Sequence, residues 1–169
     1  MQRRVLLAAA LLALAAVPAA AAQTVSLEAS FQESGGRAVA HPCSPIAFAC
    51  GRGEVEGFGA ATSTFEILSF ENFDPETSCG DATIRYTITL TSGSGTLVLT
   101  ETGVACFPGK SALAPGSLKS FGNPSRLTAT WTVTGGTGVF AGASGSGSST
   151  THLAGDGGQS TLSGTITLS

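Results

Sequence analysis

The chain is poor in the residues that most binding and catalytic chemistries require. Its 169 residues hold eight Lys and Arg, and Arg37, Arg52, Arg85, Lys110, Lys119 and Arg126 are scattered rather than clustered. Nucleic-acid binding and recruitment to anionic lipid both need basic clusters, so neither is expected. There are two histidines, His41 and His152, and no Cys-x-x-Cys pair, which removes the usual zinc spacings. No Asp-x-Asp-x-Asp-Gly loop is present for calcium. No apolar run reaches the roughly 20 residues a membrane-spanning helix needs. No stretch after residue 22 repeats apolar residues at helical spacing, so no helical domain is expected.

What is present begins with a compartment signature. Arg3 and Arg4 precede the apolar run Val5 to Val17, and Pro18 leads into Ala19 to Ala22. That order of charge, apolar core and small residues is a secretory signal peptide, with Ala20 and Ala22 fitting the cleavage rule. Residues 1–22 are therefore expected to be removed, leaving 23–169 as one exported domain of acidic charge. Four cysteines, Cys43, Cys50, Cys79 and Cys106, all lie in the exported part. An even number in an oxidising compartment reads as two disulfides. The hairpin 82–91 and 96–104 would bring Cys79 near Cys106, about two residues out of register unless a bulge at Gly103 absorbs the difference. Cys43 would then close a compact loop with Cys50.

Alternation with a period of two dominates the rest. Val25, Leu27, Ala29 and Phe31 share one face; so do Ile84, Tyr86, Ile88 and Leu90, then Leu127, Ala129, Trp131 and Val133, then Leu162, Gly164, Ile166 and Leu168. Threonines fill the opposite faces of two of these segments, as half-buried strands prefer. A strand is also expected around Phe65 to Phe70, where Leu68 and Phe70 compete with Phe65 and Ile67 for the core side. Gly and Pro clusters punctuate the pattern at Gly35-Gly36, Gly51 to Gly53, Ser92 to Gly95, Pro115-Gly116, Gly122 to Pro124, Gly135-Gly136 and Gly155 to Gly158. Short strands without helical filler predict an antiparallel sandwich or barrel. Residues 37–53 and 107–124 read as long connections.

The segment Thr134-Gly-Gly-Thr-Gly-Val-Phe-Ala-Gly-Ala-Ser-Gly145 is not a phosphate loop, because no lysine follows its glycines. The alternation predicts a hairpin turn over Gly135 to Gly138, with Phe140 returning to the core. The same residues resemble the GGTG-x-F-x-x-A-x-G segment of the allene oxide cyclase and dirigent barrel families and of small secreted bacterial proteins with that barrel. The resemblance implies an eight-stranded antiparallel β-barrel around an apolar cavity. Barrel-lining ligand contacts are then expected from Tyr86, Ile88, Trp131 and Phe140.

No catalytic constellation stands out. His152 with Asp156 and a nearby serine lies in what reads as a polar hairpin tip. Glu54, Glu56, Glu66, Glu71, Asp74, Glu76 and Asp81 read as a solvated strand face. No cofactor or metal is expected. Three functions remain open: a secreted, non-catalytic binding or surface-interaction module of a bacterial envelope or exterior; a dirigent-like or cyclase-like protein confining a small apolar molecule; and a secreted inhibitor using the Cys43–Cys50 loop. The partner would be a small apolar ligand or an extracellular protein. An open apolar barrel favours the small molecule, a filled one favours the protein. The intact mass of the exported protein is expected to match a chain starting at Gln23, with or without cyclisation to pyroglutamate. Retention of residues 1–22 would refute export by this route.

Overall fold

The structure, a computed structural model, describes residues 21–35, 49–107, 125–154 and 157–169. Residues 1–20, Cys43, His41 and Asp156 lie outside them, as do most of the two long connections. Eight strands follow one another: β1 (Gln23–Gly35), β2 (Ala49–Val55), β3 (Gly59–Asp74), β4 (Cys79–Leu90), β5 (Gly95–Cys106), β6 (Ser125–Gly138), β7 (Ser144–Ala154) and β8 (Gly157–Leu168). Each pairs antiparallel with the next, and β8 pairs with β1 from Gln23↔Leu168 to Ser34↔Gly157, closing a barrel. This is the expected eight-stranded antiparallel barrel. Among the described residues no helix is long and apolar enough to cross a membrane.

Closure assigns every strand an inner and an outer face. Leu27, Phe31, Phe65, Ile84, Tyr86, Ile88, Leu97, Leu99, Leu127, Trp131, Leu162 and Ile166 point inward and form one continuous core. The outer face of β4 carries Arg85 and the threonines, as alternation predicts. The ambiguity in β3 resolves as a register break between Ile67 and Ser69. Phe65 and Ile67 face the core before it, Leu68 is left 44% exposed, and Phe70 packs on the core beyond it. One extra residue reverses the facing of all that follow, which is why both pairs looked eligible.

Two ends of the barrel differ. One holds the short turns β2–β3, β4–β5 and β6–β7 and is plugged by Phe58 and Phe140, whose rings lie 4.9 Å apart. The other holds the strand ends that bound residues 36–48 and 108–124, together with the Cys79–Cys106 disulfide. Cys79 and Cys106 are directly paired with no bulge between β4 and β5, so the offset expected from the sequence does not arise. The strands extend beyond the expected 82 and 104 to Cys79 and Cys106, and Thr89↔Thr96 is the last pair before the turn. A disulfide closing a 27-residue separation is worth about 3.5 kcal/mol in the chain-entropy account. Cys50 is also disulfide-bonded; its expected partner, Cys43, lies outside the described residues.

The Gly135 to Gly138 segment is not the turn itself. It is the end of β6, pairing with Val98 to Gly95, and the reversal follows at 139–142. That reversal is held by Phe140 N–H to Thr137 O and Ala141 N–H to Gly138 O. Of the four residues, Gly138 alone has positive φ, at 60°, and a Cβ there would overlap the Ser94 carbonyl. At Gly135 a Cβ would meet Val98 at 3.6 Å, an ordinary contact. The stretch Ser144 to Ala154, which resembles a polar hairpin tip, is strand β7. Gly147 of β7 and Gly164 of β8 make room for the Trp131 indole, since a Cβ at either would collide with that ring.

Gly138→Val is therefore expected to destabilise the barrel by about 1–3 kcal/mol, and Phe140→Ala by about 3–5 kcal/mol. Gly135→Ala should stay within about 0.5 kcal/mol of the parent, as surface changes usually do. Urea unfolding of the three variants checks the ranking; equal effects at Gly135 and Gly138 would refute it.

Candidate functional site

The inward parity that builds the core also carries polar groups inside. In β1 the series Leu27, Ala29, Phe31 continues to Glu33, and in β5 the series Leu97, Leu99 continues to Glu101. Their residues are 4% and 1% exposed. Ser63 from β3, Ser149 and Thr151 from β7 and Ser160 from β8 are buried with them. Together with Tyr86 these residues make a polar layer inside an otherwise apolar barrel.

Glu33 is well supplied with donors. Tyr86 donates to its Oε1 at 2.6 Å, and the Ser63 hydroxyl lies 3.0 and 3.2 Å from its two oxygens. Glycine at position 51, paired with both Glu33 and Ser63, makes the space; a Cβ there would overlap both polar groups. Burial raises the Tyr86 phenol well above its ordinary value, the Glu33 charge adds to this, and the hydrogen bond to Glu33 acts in the same direction. Thr151 and Ser160 hydrogen-bond each other at 2.9 Å.

Glu101 has no such support. Neither carboxylate oxygen, nor Ser149 Oγ, has a hydrogen-bond partner among the described residues. Burial pushes the Glu101 carboxyl up to about 7. The Ser149 hydroxyl is near enough to oppose this but outside hydrogen-bonding geometry, and the Glu33 charge pushes it further upward. An unpartnered buried carboxyl is costly, and such groups are retained in few places without a reason.

The expected lining residues Tyr86, Ile88, Trp131 and Phe140 are all fully or almost fully buried in the core. Trp131 donates its indole N–H to the Ser148 carbonyl at 2.9 Å. The structure brings Tyr86 together with Glu33 and Ser63, whereas Phe140 belongs to the plugged end. Glu33 and Glu101 were missed by the sequence reading, although extending the inward series by one step in each strand reaches them. At the disulfide end a cavity of about 20 Å³ is lined by Phe65, Ile84, Leu127, Thr151, Arg126 and neighbouring apolar residues. That is room for about one water.

On the outer wall, two cross-strand rows, Glu28–Ser163–Ser148 and Ser30–Thr161–Thr150, line a groove of about 610 Å³ with Glu54 and Glu56 at its side. Ser163 donates to Glu28 at 2.8 Å. Among the described residues no Lys or Arg contributes to its lining. Elsewhere the carboxylates serve local structure: Asp74 accepts from the Glu76 amide at 2.8 Å and from Thr77, and its carboxyl is lowered chiefly by that amide. Asn72 donates to Asp81 at 2.7 Å, and Arg85 pairs with Glu66 at 2.8 Å on the surface. Exposed His152 lies opposite Gln159. No group of three or more His, Cys, Asp or Glu among the described residues is placed to hold a metal.

Comparison with family models, with curated proteins and with solved structures finds no match to this chain.

The Glu101 carboxyl sets a pH dependence with a definite sign. Its proton is held to about pH 7 in the folded barrel and to an ordinary 4.5 in the unfolded chain. The unfolded chain therefore releases the proton first, so the stability the acid form contributes is full below about 4.5 and lost as pH rises to about 7. The loss is about 3 kcal/mol, at about 1.4 kcal/mol per pH unit. Glu101→Gln, which cannot ionise, is expected to lose this slope and to exceed the parent in stability at pH 8. Denaturant titrations at pH 5 and pH 8 check it; parallel slopes for parent and variant would refute it.

Proposed function

We propose that the chain is a secreted, non-catalytic barrel module that binds an extracellular protein through its outer wall. The observation that carries this reading is the continuous packed core of large side chains, in which the cavity at the disulfide end measures about 20 Å³. The outer groove is far larger, at about 610 Å³, and combines rows of small hydroxyls with the carboxylates Glu28, Glu54 and Glu56. That chemistry favours a partner presenting basic side chains over an anionic or apolar one. Export is supported by the signal-like order of residues 1–22, and the disulfides suit an oxidising compartment.

A second reading rests on the buried polar layer. Glu33, Tyr86 and unpartnered Glu101 inside an apolar barrel are groups that would orient a confined small molecule, as membership of the allene oxide cyclase and dirigent barrels would imply. The inhibitor reading depends on the Cys43–Cys50 loop, which is outside the described residues.

Titration with N-phenyl-1-naphthylamine, a neutral apolar fluorophore, separates the first two. A filled barrel is expected to show no saturable binding. Saturable one-to-one binding that is altered by Trp131→Phe would overturn the surface reading in favour of the small-molecule one.

A further inference from the structure

β1 is longer than the strand it meets on one side. Its pairing with β8 runs from Gln23↔Leu168, but its pairing with β2 starts only at Ala29↔Val55, because β2 turns away into β3 over 56–58. On that side Gln23 to Glu28 has no strand partner among the described residues. One contact closes the ladder, from the Glu56 amide to the Glu28 carbonyl at 2.8 Å. It also fixes the direction of the backbone groups. A strand residue turns its N–H and C=O to the same side, and successive residues alternate. Glu28 faces β2, so Ser26 and Thr24 face the same way, while Val25 and Leu27 face Ile166 and Gly164 of β8. The N–H and C=O groups of Thr24 and Ser26, both exposed residues, therefore line an open edge.

The edge borders a recess of about 460 Å³ beside the β2–β3 turn, whose lining includes Val25, Ser26, Phe58 and Leu168. Val25, Phe58 and Leu168 pack against the core, so the inward side of the recess is apolar. The recess shares Glu56 and Gly57 with the outer groove, so the two meet at that turn. Glu28, Glu54 and Glu56 stand on the outward side. Sheet edges are ordinarily blunted by lysine, proline or a bulge. The segment Gln-Thr-Val-Ser-Leu-Glu from 23 to 28 has neither lysine nor proline, and its pairing with β8 is unbroken.

We propose that the β1 edge from Gln23 to Glu28 takes an extended segment of a partner protein as an added strand. Main-chain hydrogen bonds to Thr24 and Ser26 hold the segment, and its side chains alternate between two surroundings. Small apolar ones enter the recess beside Val25 and Phe58, and basic ones meet Glu28, Glu54 and Glu56. The carboxylates disfavour a second copy of this chain as the occupant, since it would bring the same charges into the site. The inference deepens the outer-wall reading and rests on it.

The test adds the peptide acetyl-Lys-Val-Lys-Val-Lys-Val-amide to the isotope-labelled exported chain with its disulfides intact. In the free chain, after correction for intrinsic rates, the Thr24 and Ser26 amides are expected to exchange roughly tenfold or more faster than those of Val25 and Leu27. Saturating peptide should remove that difference, and the same peptide with Glu in place of Lys should bind roughly tenfold more weakly. Ser26→Pro deletes one edge donor, leaves the β8 ladder intact and is expected to weaken binding of the lysine peptide by roughly tenfold. Edge amides already protected in the free chain, protection that grows with chain concentration alone, or equal binding of the two peptides would overturn the proposal. So would no binding of the lysine peptide, in which case the fluorophore titration still judges the outer-wall reading separately. Binding that shifts Thr150 and Thr161 but leaves Thr24 and Ser26 unprotected would remove the edge and keep the outer wall. Should Ser26→Pro fail to fold, the exchange comparison in the parent chain still decides.

Discussion

The pairing of β1 with β8 is the constraint on which everything else rests. Twelve consecutive residue pairs, from Gln23↔Leu168 to Ser34↔Gly157, join the chain's first strand to its last. They join the two edges of the sheet, so no strand keeps a full-length row of unpaired amides as a template for aggregation. They also turn a local alternation of side chains into an absolute distinction between inside and outside. Every inward residue of eight strands then converges on one enclosed space. What each position can be follows from how that space is shared.

Sharing explains the composition of β7 and β8. Trp131, the single tryptophan, lays its indole against β7 and β8. Gly147 and Gly164 stand opposite it because any larger residue would overlap the ring. The same exchange of volume operates around Glu33, which occupies the space that Gly51 leaves. A strand rich in serine and glycine is therefore a complement to bulky neighbours and not a flexible linker. On the outer side the same residues leave the rows of small hydroxyls that shape the groove.

The interior carries an unresolved electrostatic tension. One carboxyl is compensated by a phenol and a hydroxyl, while the other is held without a partner in an apolar enclosure. Packing favours a closed, dry barrel, and ionisation of Glu101 opposes it. Apolar burial is insensitive to pH, whereas the charge of Glu101 changes near neutrality, so pH alone shifts the balance between them. The outer groove lies on β2, β1, β8 and β7, whereas Glu101 is carried by β5; Ser149 of β7 belongs to the groove lining and also acts on Glu101.

Residue order alone determined the period-two alternation, and with it the strands, the absence of helical elements among the described residues and the proximity of Cys79 to Cys106. These are legible because the alternation is local: each residue's facing depends on its immediate neighbours. The burial of Tyr86, Ile88 and Trp131 was legible for the same reason, and that of Phe140 from its place just after the glycine-rich segment. Tertiary structure decided what local pattern cannot carry. A glutamate after Phe31 or Leu99 continues the inward series, yet an isolated carboxylate on a strand ordinarily marks the solvated face. Only closure of the barrel makes Glu33 and Glu101 interior and brings Tyr86 of β4 onto Glu33 of β1. The bulge after Ile67, the reversal beyond Gly138 and the strand character of 144–154 likewise depend on the register of partners distant in the chain. Facing is set between neighbours in sequence; who meets whom across the barrel is set by closure.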